Sequence, residues 1–148
     1  MDDGAVQIRI SAIGVLGFHQ DEPEAPIGDN EHFSVDVQLK TQHNRDDKRA
    51  RIVLDVSMRR SEDPTSLVVL SIVTEMVFDF KDDTFLVTGE EGKERIRLEI
   101  LDQLVSVAYS TTRGILFSKL GLSGLSKLIL PLLDTKGLTK QYALMPSD

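Results

Sequence analysis

The chain has 148 residues, 41% of them hydrophobic, with a formal net charge of -7 and no cysteine. That is enough apolar material for one ordinary domain with its own core, which excludes disorder of the whole chain. The missing cysteines exclude disulfides, thiol nucleophiles and thiolate metal sites, and suit a reducing, cytoplasmic setting. The negative balance disfavours generic binding to phosphate backbones.

The chain opens on an acidic tip, Met1 to Gly4, without the basic region and apolar run of a signal peptide. A first strand is predicted from about Val6 to His19. Val6, Ile8, Ile10 and Ala12 should face one way, and Gln7, Arg9 and Ser11 the other. Alternation blurs from Ile13 to Leu16, where Gly14 and Gly17 suggest a bend or bulge.

A longer segment follows, Gln20 to Glu31, with Pro23, Pro26 and Gly28, and with acidic but no basic residues. Three further strands are predicted. The second spans His32 to His43, with Phe33, Val35, Val37 and Leu39 on one face; the third spans Arg49 to Arg60, with Ile52, Leu54, Val56 and Met58 inward. The fourth runs from Ser66 to Lys81, its main face made by Val68, Leu70, Ile72, Met76, Phe78 and Phe80. Val69, Val73 and Val77 make its other face partly apolar, as expected of a central or interface strand.

Asn44–Lys48 and Ser61–Thr65 are short polar turns, so strands two to four read as a meander of hairpins. Arg45, Lys48, Arg49 and Arg51, interspersed with Asp46 and Asp47, read as a solvated hairpin tip rather than a nucleic-acid site. The long Gln20–Glu31 segment can carry the chain across the sheet and set strand one beside strand four. The expected class is α+β: a four-stranded antiparallel Greek-key sheet of order 1-4-3-2, then one long helix packed on it and a short C-terminal helix.

That long helix is predicted from about Lys93 to Leu120, with Ile100 or Leu101, Leu104, Val105, Ala108, Ile115 and Leu116 recurring at helical spacing. Glu90, Glu91 and Glu94 would suit its N-terminal dipole. Ser106, Ala108, Ser110, Thr111, Thr112 and Gly114 are small or poor helix formers that allow another backbone to approach. Close packing on the sheet is favoured over a hinge, and the helix's length suggests packing on a second copy as well. Beyond Leu120 come a Gly/Ser loop, an apolar stretch Leu128–Leu133 broken by Pro131, and a tail able to form only a short helix. The whole chain, 1–148, reads as one domain; residues 1–5 and 143–148 are expected to be mobile.

No chemistry stands out. His19, His32 and His43 are not spaced as metal ligands, and Thr88–Lys93 lacks the spacing of a phosphate loop. Gly121-Leu122-Ser123-Gly124 is not a nucleophile elbow, and nothing singles out one carboxylate pair. An enzyme is not expected, and neither a metal nor another cofactor is called for.

The ordered set of a long first strand, a Pro-rich crossover after Phe18, a meander, and a helix carrying Thr111-Thr112-Arg113-Gly114-Ile115-Leu116, followed by Leu130-Pro131-Leu132-Leu133-Asp134, resembles the SecB family of export chaperones, especially its shorter members. The resemblance covers about Val6 to Lys140. It implies a non-enzymatic holdase: a dimer of dimers binding unfolded polypeptides in apolar grooves. Mapped onto this chain, the groove would use Phe18, Ile27, Phe33, Val35, Val37, Leu39, Leu138 and Tyr142, each of which suits a core position equally well. The interface between copies would use Ser106, Ser110, Arg113, Gly114 and Phe117. Family members dock the export motor ATPase through acidic residues on strands one and four. The matching positions here, Val15, His19 and Ser71, are not acidic, which puts that partner in doubt and leaves open a non-catalytic oligomeric adaptor or a chaperone dedicated to one partner, such as an antitoxin.

Overall fold

The computed structural model describes residues 7–21, 33–59, 68–89, 91–120, 137 and 139. Four strands, β1 (Ile8–Gln20), β2 (Ser34–Asn44), β3 (Arg49–Arg59) and β4 (Val68–Phe80), form an antiparallel sheet in the order β1-β4-β3-β2. The expected Greek-key order and the expected strand boundaries hold to within two residues. The expected mobile termini lie outside the described residues, as do Ile27, Leu138 and Tyr142 of the expected groove.

β3 and β4 are central, and their alternation is sharp. Ile52, Leu54, Val56 and Met58 on β3 and Leu70, Ile72, Met76, Phe78 and Phe80 on β4 are buried against one long helix, α1 (Leu98–Leu120). The helix contributes Ile100, Leu101, Leu104, Val105, Ala108, Leu116 and Leu120, with Tyr109 and Thr112, to the same core. Its 23 residues make a rod of about 35 Å.

Three expectations change. The helix begins at Leu98, not near Lys93, because Leu86–Thr88 (β5) and Glu94–Ile96 (β6) pair as a small hairpin. Gly92, at φ +74°, lets the chain reverse there, and the Gly89 amide donates to the Lys93 carbonyl at 2.7 Å. Glu94 therefore lies in a strand rather than in the first helical turn, where Glu99 stands instead. The helix start is set by Arg97: its carbonyl accepts from Ile100 and Leu101, and its own amide donates to the carbonyl of Phe85.

The second change concerns parity along β1. Register shifts between Ile10 and Ala12 and between Val15 and Gly17 leave Ser11 and Leu16 as extra, bulged residues. Ala12 consequently sits opposite Val77 on the outer face, not beside Ile10 on the helix side. The two bulges instead bring Ile8, Ile10, Ile13, Val15 and Phe18 onto the helix side, opposite Phe80, Phe78, Met76, Thr74 and Ile72.

The third change concerns the small residues of α1. Ser106, Ser110 and Gly114 are exposed, and a Cβ placed at Gly114 would meet nothing within 4 Å. Of the small residues, Ala108 and Thr112 are buried and supply the close packing on the sheet, whereas Ser106, Ser110 and Gly114 do not take part in it within one copy.

Candidate functional site

The sheet is wider than its helix. α1 lies over β3 and β4, which leaves the helix side of the edge strand β1 uncovered among the described residues. Ile10 (45% exposed), Ile13 (53%), Val15 (40%) and Phe18 (38%) form an apolar ledge there, and bulged Leu16 is 52% exposed. An apolar edge strand left bare is an association surface, because its side chains and its unpaired backbone groups both seek partners. On α1, Val107 and Phe117 add further exposed apolar surface, Phe117 at 68%. Lys119 links the two regions, its ammonium lying 5.0 Å from the centre of the Phe18 ring.

The described members of the expected groove, Phe18, Phe33, Val35, Val37 and Leu39, fall on the two edge strands. Phe33, Val35, Val37 and Leu39 flank the core from β2; Leu39 is buried and the other three are half-buried. Phe18 stands on β1, at the opposite edge of the sheet, with β4 and β3 between. Two separate apolar edges are present: a covered one at β2 and a bare one at β1.

The expected interface residues do share a region. Ser106, Ser110, Gly114 and Phe117 fall on the exposed side of α1, and Arg113 is half-buried beside them. Their spacing of three and four residues makes a continuous stripe. Sequence reading missed Ile10, Ile13, Val15 and Leu16 as exposed residues. The available signal was the irregular spacing of apolar residues from Ile8 to Phe18, which fits neither strand nor helix period.

The charged residues are organised rather than merely solvated. Arg45 in the β2–β3 turn is ion-paired to Asp83 at 2.5 Å and to Glu94, and His43 lies 3.2 Å from the same Glu94. The turn is thereby tied to the β5–β6 hairpin. Arg49 and Arg51 belong to β3 and pair across the sheet with Asp79 and Glu75, so the cluster is more than a hairpin tip. Among the described residues no three His, Asp or Glu side chains are grouped to hold a metal ion, and no helix is long and apolar enough to cross a membrane. Thr88, Gly89, Gly92 and Lys93 belong to the β5–β6 hairpin and its turn, and Asp82 accepts from the Thr84 amide at the start of a short 3-10 turn.

His19 and Ser71 are directly opposed on the outer face of the sheet, whereas Val15 pairs with Thr74 and faces the helix side. The three positions matched to motor docking thus do not share one face.

No protein-family model matches the chain, and no curated protein matches it. Among solved structures it resembles a SecB-like chaperone of Mycobacterium tuberculosis in complex with a ChAD peptide from an antitoxin. That likeness has a TM-score of 0.61 and 14% identity, covering 85% of this chain and 90% of the other. A protein of unknown function from Streptococcus agalactiae is matched at 17% identity and a TM-score of 0.34, over 86% of this chain and 99% of the other. The first likeness, together with the four-strand order and the long helix, makes the fold SecB-like and the relationship distant.

Proposed function

We propose that this chain is an ATP-independent chaperone that holds unfolded polypeptides through apolar contact. The observation that carries the reading is the pair of apolar sheet edges on a SecB-like fold, the exposed β1 ledge Ile10, Ile13, Val15 and Phe18 for assembly and the half-buried Phe33, Val35 and Val37 of β2 for clients. Burial of such side chains supplies roughly 25 cal/mol per Å² of apolar area removed from water, with no covalent step and no nucleotide. In this reading the chain is not an enzyme and acts in the cytoplasm.

Assembly belongs to the same proposal. The exposed stripe Ser106, Ser110, Gly114 and Phe117 and the bare β1 edge are the two surfaces a homotetramer would use, leaving the β2 side with Phe33, Val35 and Val37 for clients. Ile27, Leu138 and Tyr142 are proposed for the same client groove.

A second reading, a chaperone dedicated to one partner, is supported by the antitoxin peptide held by the Mycobacterium tuberculosis neighbour. Docking to the export motor is the less supported partner, since Val15, His19 and Ser71 carry no acid. The deciding experiment is suppression of aggregation of an unrelated unfolded protein without ATP. A general holdase suppresses it at near-stoichiometric amounts. No suppression of any unrelated client would sink the general holdase and leave the dedicated chaperone.

A further inference from the structure

The outer face of the sheet, away from α1, carries an ordered set of arginines. Arg9 on β1 and Arg49 on β3 both stand opposite Asp79 on β4, in one cross-strand row. Arg9 Nη2 donates to one oxygen of Asp79 at 3.1 Å, and Arg49 Nε donates to the other at 2.8 Å. One carboxylate thus anchors two guanidiniums. Beside this row Arg51 donates to Glu75 at 2.7 Å and to Gln42 at 3.2 Å, and Lys40 lies on the same face of β2.

Arg9, Arg49 and Arg51 are set against Asp79 and Glu75, with Asp47 of the adjoining turn acting on Arg49 and with Lys40 and Asp55 further along the same face. Three guanidiniums are thus gathered in one area on a chain of net charge -7. Asp79 is largely covered, at 17% side-chain exposure, while Arg9 (80%) and Arg49 (51%) remain open to solvent. Asp79 occupies one nitrogen of each guanidinium. The other donors, Nε and Nη1 of Arg9 and both terminal nitrogens of Arg49, have no acceptor among the described residues. Guanidinium forks held in place by an anchoring carboxylate are preorganised to grip a further carboxylate.

We infer that this arginine row is a docking surface for an acidic, extended segment of a partner polypeptide. It rests on the reading above only in taking a polypeptide as the partner. Arg9 and Arg49 spring from strands two spacings apart, about 10 Å, and converge on Asp79; carboxylates at alternate positions of an extended chain lie about 7 Å apart, within their combined reach. A nucleic acid is the poorer fit, because its dense phosphates extend past the patch to meet an acidic surface. A short acidic segment needs only the patch, since charges beyond about 10 Å are screened at 0.1 M salt.

The test is fluorescence anisotropy with a labelled Glu-Ser alternating peptide of about ten residues, beside a Gln-Ser peptide of the same length, at about 0.05 M and about 0.3 M salt. The intact protein is expected to bind the acidic peptide about tenfold or more tightly than the neutral one, and more weakly at the higher salt. The double variant Arg9→Gln with Arg49→Gln is expected to lose that preference. Adding Asp79→Asn removes the uncovered carboxylate and is expected to leave binding weak, showing that lost donors and not a new repulsion are responsible. Equal binding of the two peptides, unchanged affinity in the double variant, recovery in the triple variant, or tighter binding of a single-stranded oligonucleotide of similar charge would each overturn the inference. Aggregation suppression by the double variant is a separate readout: it follows the apolar surfaces and is expected to persist whichever way the peptide result falls.

Discussion

The side chains of Thr74 on β4 and Thr112 on α1 meet at 2.8 Å inside a core otherwise built of apolar residues. The Thr112 hydroxyl donates to the carbonyl of Ala108 at 2.8 Å, so the shared proton must come from Thr74. The pair joins the middle of the helix to the central strand β4 by a buried polar contact.

The two hydroxyls are therefore not equivalent. Thr112→Val strands the Thr74 donor in the core and should cost about 1–3 kcal/mol. Thr74→Val removes only an acceptance by Thr112, which keeps its bond to Ala108, and should cost less. The double valine variant should be more stable than Thr112→Val alone. Urea unfolding of the three variants checks the order, and a Thr74→Val more damaging than Thr112→Val would contradict the assigned proton direction.

Gly114 offers a test of assembly separated from folding. Its position is open in one copy, and glycine costs about 1 kcal/mol in a helix relative to alanine. Gly114→Leu should therefore retain or raise helix content while lowering the assembled mass. Light scattering and circular dichroism on the same sample decide this. A variant with the same mass as the parent would remove Gly114 from the interface, and a parent mass near 16.5 kDa at micromolar concentration would remove the oligomer altogether.

Acid should loosen the outer face in a defined direction. Hydrogen bonds from Arg49 and then Arg9 hold the Asp79 carboxyl below the usual carboxylate range. A carboxyl depressed in the folded state contributes stability that is present above its unfolded pKa of about 3.9 and is lost as pH falls through the lower folded value. Asp79→Asn should thus be less stable than the parent at pH 7, with the gap closing as the pH falls through the depressed folded value of Asp79. A gap of equal size at both ends, in denaturant titrations at fixed ionic strength, would show that the contribution of Asp79 is not ionic. Because the partners are exposed arginines, the gap at pH 7 should also narrow with added salt.

The two apolar edges should separate in their effects. Phe33→Ala on the β2 side is expected to weaken client binding while leaving the assembly intact. Phe18→Ala on β1 is expected to change assembly first, since it lies on the bare edge and under Lys119. Client affinity by anisotropy and mass by light scattering, measured on both variants, distinguish them. Loss of client binding in Phe18→Ala at unchanged mass, with Phe33→Ala neutral, would reverse the assignment.

The sequence by itself determined the elements that depend on local pattern and on chain length between patterns. Alternation in Ile52 to Met58 and Leu70 to Phe80 marked the central strands and their buried face. The short turns and the long Gln20–Glu31 connection dictated the β1-β4-β3-β2 order, since only the long segment can cross the sheet. The apolar repeat Leu101, Leu104, Val105, Ala108 likewise marked the face of the helix, because that repeat follows from 3.6 residues per turn. Tertiary structure alone decided the rest. One extra residue at Ser11 inverts the parity of β1, so the side of the sheet that Ala12 faces cannot be found by counting in twos. The width of the sheet relative to one helix decides that Ile10, Ile13, Val15 and Phe18 are bare, although their chemistry is that of a core. Two central strands, β4 and β3, separate Phe18 from the β2 side with Phe33, and the strands on either side of β4 bring Arg9 and Arg49 to one carboxylate. Each of these outcomes depends on contacts between residues far apart in the chain, and periodicity, being a property of neighbours, carries no record of them.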